Sequence, residues 1–156
     1  MCFLLLMHYD FAVLSFNHAA EVDDGKKNLY ARQLCILIHE ALEDIPAVFG
    51  GDFRKDILSM PNGVTHLSLI SGVLKTLSGL RKMDQASLSD IRNFVAAHRD
   101  HDALRQLEVM RRIDTRWLLA LSTVFVEFLG NMAKALIPLL TEMGNPRVVI
   151  GHLLKK

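Results

Sequence analysis

Residues 29–46 read LYARQLCILIHEALEDIP, and their apolar spacing decides the fold class. Leu34, Ile38, Leu42 and Ile45 stand at i, i+4, i+8 and i+11, one stripe of a helix with about 3.6 residues per turn. A half-buried strand would alternate with period two, and this stretch does not. Pro46 is expected to close the helix, because proline disfavours the helical region for the residue before it.

The same period governs the sequence on both sides. Residues 3–20 form an expected first helix, followed by a polar turn over residues 21–25. Gly50-Gly51 and Pro61-Asn62-Gly63 bracket a short segment, residues 52–60, to which periodicity assigns no structure. Leu67, Ile70, Leu74 and Leu77 mark a third helix over residues 64–83. A fourth is expected to open at Ser87 or Ser89, either of which can cap a helix through its hydroxyl. A long last helix is expected from residue 102 or 103 to residue 143, bent near Asp114-Thr115 and again at Pro138, with Gly144 as its C-cap. Residues 147–156 form a short tail. With no repeat and no linker, the chain reads as a single-domain, all-α bundle of four to five helices.

Composition narrows the function classes. The 156 residues carry 18 basic and 17 acidic side chains, a net charge of +1. That balance excludes a polycationic coat for nucleic acid and leaves room for a local basic cleft. Cys2 and Cys35 have no zinc-ligand or CxxC spacing and fit a reducing cytoplasm. Residues 1–16 are apolar but lack the positive start and small-residue cleavage site of a signal peptide, and His8 and Asp10 interrupt them. The run is too short to span a bilayer. It is expected to be a buried or dimer-facing helix, and no membrane role is expected.

The polar groups concentrate in residues 91–102, IRNFVAAHRDHD. Ile91, Phe94, Val95 and His98 share one apolar face, while Arg92 sits at its edge. On a regular helix Arg92 and His98 lie about 120° apart, so they converge only if the helix breaks or a second copy contributes. A core histidine and a surface arginine paired with Asp90 or Glu108 account for the same pattern. His98, Asp100, His101 and Asp102 invite a metal reading, yet His8, His18, His39, His66 and His152 offer no matching pair, and no metal is assigned. His39-Glu40 and Glu43-Asp44 read as a solvated helix face. Arg111, Arg112 and Arg116 read as solvent-facing or as an extension of a phosphate-binding surface. Trp117, Leu118, Leu121, Phe125 and Phe128 read as core or dimer interface. No P-loop, GxGxxG turn or serine elbow is present.

The segment Arg92-Asn93-Phe94-Val95-Ala96-Ala97-His98 resembles the signature of the HEPN superfamily: an arginine, a polar residue, and a histidine after a short gap. The continuation Ala97-His98-Arg99-Asp100 resembles HEPN proteins of the abortive-infection and toxin type. The resemblance covers seven residues and does not extend to residues 1–60. Arg99 departs from the family pattern, which often places a small residue after the histidine. The resemblance implies a metal-independent endoribonuclease, without cofactor, acting on RNA as a homodimer whose two motifs face each other across a cleft, with an antitoxin protein as a further partner. It implies His98 as acid/base, Arg92 as phosphate stabiliser, Asn93 as orienting residue and Arg99 as an added RNA contact. Many HEPN domains are silent binding modules, which gives the alternative: a non-catalytic dimeric helical module for a protein or nucleotide partner.

Overall fold

A computed structural model of the chain describes residues 2–93, 108, 111 and 113–145. Among them are five helices and no strand: α1 (Cys2–Ala20), α2 (Asp24–Val48), α3 (Gly51–Leu58), α4 (Gly63–Ile91) and α5 (Thr115–Met143). The expected all-α bundle is therefore what the chain forms. Helices α1, α2, α4 and α5 surround one core: α1 packs on α2, α2 on α4, and α4 on α5, with α3 against α4. The ring closes by a thinner seam between α1 and α5, the helices nearest the two chain ends.

The stripe in α2 behaves as its spacing demands. Leu34, Ile38, Leu42 and Ile45 are all buried, and Cys35 lies among them. Burial pushes the Cys35 thiol up to about 12, so it is a core side chain rather than a reactive thiol. The helix starts earlier than expected, at Asp24, because Asp23 caps it: the Asp23 carboxylate accepts from the Lys26 N–H at 2.9 Å. It also runs past Pro46 to Val48, contrary to the expected stop. A proline this close to a C-terminus costs only one internal hydrogen bond. Phe49 anchors the extra turn, its N–H donating to the Ile45 carbonyl at 3.2 Å and its buried ring meeting Phe53 edge-on at 4.9 Å.

Residues 51–58, left unassigned by periodicity, form α3. The turn into α4 is tight, and a Cβ at Gly63 would overlap the Ile57 carbonyl oxygen. Only glycine fits this approach.

The third and fourth expected helices are one. α4 passes without interruption through residues 84–87, and neither Ser87 nor Ser89 starts a helix. Nothing between Leu80 and Ile91 breaks a helix, and Leu80, Leu88 and Ile91 extend the buried stripe. Arg81 and Gln85 bridge the expected gap, at 3.1 Å from each other, and both hold the Glu43 carboxylate of α2.

The bend expected near Asp114 is instead a helix start. Asp114 is extended (φ −75°, ψ 127°) and its carboxylate accepts from the Arg116 N–H at 2.6 Å. Thereafter α5 continues through Pro138 to Met143, with Gly144 as its C-cap. Among the described residues, α5 is the one helix long and apolar enough to cross a membrane by length and composition. Leu118, Leu121, Phe125, Phe128, Met132 and Leu139 on it are nevertheless buried in the bundle, and a core helix passes the same test. Phe125 lies between Phe11 of α1 and Phe128, at ring-centroid distances of 5.0 and 6.0 Å.

Candidate functional site

Arg92 and Asn93 continue the C-terminal end of α4. The buried Leu88 and Ile91 fix the rotation of this end, which turns Arg92 and Asn93 to solvent. Arg92 keeps helical dihedrals (φ −60°, ψ −48°), and the backbone widens to a π-type turn at these two residues. Such widened turns recur at functional sites, and they shift the phase of a helix from its regular value. The 120° separation expected for Arg92 and His98 assumes a regular helix from residue 92 onward, whereas Arg92 and Asn93 stand in this widened turn.

The two side chains touch. The Arg92 guanidinium donates to the Asn93 side-chain oxygen at 3.3 Å, and the Asn93 amide donates to the Ser89 hydroxyl at 3.4 Å. Both bonds are long and exposed, so they orient the pair without neutralising it. Among the described residues the guanidinium meets no carboxylate, and its remaining donors suit a phosphate. His98 and Arg99, the other two expected site residues, lie outside the described residues, as do Asp100, His101 and Asp102. Arg111 and Arg116 are exposed.

The neighbouring side chains take structural roles. Trp117 is half-buried and its indole N–H donates to Asp84 at 2.8 Å, tying the start of α5 to α4. Leu118, Leu121, Phe125 and Phe128 belong to this chain's own core, which removes them from a dimer interface. Glu40, Glu43 and Asp44 are exposed as expected, although Glu43 is engaged by Arg81 and Gln85.

A second polar cluster sits at the opposite end of the bundle, where the sequence pointed to none. His66 is buried in the first turns of α4, and its Nε2 lies 2.9 Å from a Glu142 carboxylate oxygen near the end of α5. The Asn62 amide donates to the same oxygen at 2.9 Å. Because a carboxylate only accepts, His66 donates through Nε2–H. The His66 Nδ1 and the other Glu142 oxygen are buried without a partner. Seventy-six residues separate His66 from Glu142, and no local spacing signals the pair.

The Asn62 amide and then the His66 ring hold the Glu142 carboxyl below its usual value, against the opposing effect of burial. A carboxyl depressed in the folded state contributes stability that is complete above its unfolded pKa. That stability is lost as pH falls through the lower, folded value. Urea denaturation of Glu142→Gln should therefore show a deficit against wild type at pH 7 that shrinks on the acid side of the carboxylate range. A deficit of equal size at pH 7 and pH 3 would contradict this account.

Among the described residues no three His, Cys, Asp or Glu side chains gather to hold a metal ion. Comparison of the chain with protein-family models, with curated proteins and with solved structures finds no match.

Proposed function

We propose that the protein is a metal-independent endoribonuclease of HEPN type, working as a homodimer in a toxin–antitoxin or phage-defence setting. The observation that carries this reading is the exposed contact between Arg92 and Asn93 at the widened end of α4. It leads directly into the segment that holds His98.

The chemistry requires little else. The RNA 2′-oxygen attacks the adjacent phosphorus, the bond to the 5′-oxygen breaks, and a 2′,3′-cyclic phosphate forms. An imidazole exchanges the proton near neutral pH without a large shift in its affinity for it. A guanidinium meets the charge that gathers on the phosphorane oxygens with two parallel donors. His98 is assigned the proton transfer, Arg92 the phosphate oxygens, Asn93 the orientation of Arg92, and Arg99 an added contact at the rim.

The test is cleavage of total RNA by the purified chain with excess chelator present. Products ending in cyclic phosphate support the proposal, and cleavage that vanishes with the chelator overturns it. The second reading, a non-catalytic dimeric helical module, draws on the apolar outer face of α1 and predicts no cleavage under any of these conditions.

A further inference from the structure

The outer face of α1 has no partner among the described residues. Met7 and Phe11 point into the core, and on a helix turning about 100° per residue Tyr9 and Phe16 point the opposite way. Leu5, Leu6, Tyr9 and Phe16 are 62%, 63%, 67% and 73% exposed, and Val13 and Ala12 lie among them. A helix apolar on both sides is normally covered on both sides. The outer stripe Leu5, Tyr9, Ala12, Phe16 follows spacings of four, three and four, the knobs-into-holes seam of two packed helices.

We infer that this face binds a second copy of the same chain, with the two α1 helices antiparallel. Three observations select that occupant. The first is area: Leu5, Leu6, Tyr9, Val13 and Phe16, with exposed Ile137 of α5 beside them, expose on the order of 700 Å² if each large side chain presents roughly 150–250 Å² in full. One partner of a standard interface contributes about 800 Å² including its polar rim.

The second is shape. Beside α1 runs an apolar groove of about 360 Å³ along the thin seam with α5, lined by Leu4, Leu5, Leu129, Met132, Leu136 and Ile137. A protruding helix next to a groove is self-complementary under a two-fold axis, because each copy supplies what the other lacks.

The third is the order of sizes along the seam. Antiparallel pairing sets Tyr9 against Ala12, and Phe16 of the second copy against Leu5 at the mouth of the groove. Every layer then holds comparable volume. Parallel pairing stacks Tyr9 on Tyr9 and leaves Ala12 facing Ala12, an uneven fit.

This inference goes beyond the ribonuclease reading and uses none of its site residues.

The experiment is the sedimentation mass of the full chain, whose single-copy mass is 17.6 kDa. Wild type is expected at twice that mass, and Phe16→Glu and Leu5→Glu at the single-chain mass with unchanged helical circular dichroism. Both positions are exposed, so neither change should unfold the monomer. A monomeric wild type overturns the proposal, as does a dimer that both variants leave intact. For orientation, Leu5→Cys and Phe16→Cys chains on a Cys2→Ser background are mixed and oxidised. A crosslink between the two variants supports antiparallel pairing, and self-crosslinking of Phe16→Cys overturns it.

Discussion

His98→Ala should lower RNA cleavage by roughly two to four orders of magnitude, the usual contribution of a positioned acid or base. At about 1.36 kcal/mol per tenfold, that is roughly 3–5 kcal/mol of transition-state stabilisation. Arg92→Ala should cost about two to three orders, as expected when a donor to developing oxyanion charge is removed. Arg92→Lys should recover only part of this, since lysine keeps the charge and loses the two-pronged geometry. Arg92 does not belong to the core: it is exposed, and among the described residues its side chain bonds to its neighbour Asn93. Thermal unfolding of Arg92→Ala should therefore match wild type within about 0.5 kcal/mol, as for ordinary surface substitutions. Initial rates on a defined single-stranded RNA measure the first effect and calorimetry the second. Unchanged rates in both alanine variants would remove the catalytic assignment.

The largest expected loss of stability is Phe125→Ala. Phe125 is fully buried where α5 meets α1, with Phe11 on one side and Phe128 on the other. Truncation removes transfer energy and leaves a cavity that two aromatic neighbours cannot collapse into, a cost of about 3–5 kcal/mol. For a chain of this size the melting temperature should drop by roughly 6–20 °C. Val126→Ala, one residue round the helix and half-exposed, is the control and should change stability little. A drop at Phe125 no larger than at Val126 would mean that α1 does not pack on α5 as described.

Periodicity reads correctly where a helix has one buried face. Leu34, Ile38, Leu42 and Ile45 show this, as do Ile70 and Leu77. It fails at boundaries, and each failure has a physical cause. Ser87 and Ser89 can cap a helix, but capping needs a break, and Arg81, Asp84 and Gln85 hold the chain helical through contacts with Glu43 and Trp117. Those partners are remote in sequence. Pro46 stops a helix only if no residue beyond it gains by staying helical, and burial of Phe49 reverses that balance. Aspartates decide two starts: spacing places Asp23 in a turn and Asp114 at a bend, and both are caps.

The site divides along the same line. That Arg92 stands at the edge of the apolar face, and so reaches solvent, follows from its place beside Ile91. Its contact with Asn93 and the widened turn do not follow from spacing. His66 reads as a lone histidine until α5 brings Glu142 beside it, and only the closed bundle makes that pair.

The order in which the ring is joined bears on how the chain folds. Among the described residues each large helix packs mainly on those next to it in sequence, and the α1–α5 seam joins the first helix to the last, beside a similar contact of α2 with α5. Local hairpins form quickly because little chain must be looped to close them, whereas the seam closes the longest loop in the molecule. The seam is then the last surface made in folding and the first released in unfolding. Removing the Phe11–Phe125 contact should appear chiefly as faster unfolding, with the refolding rate nearly unchanged.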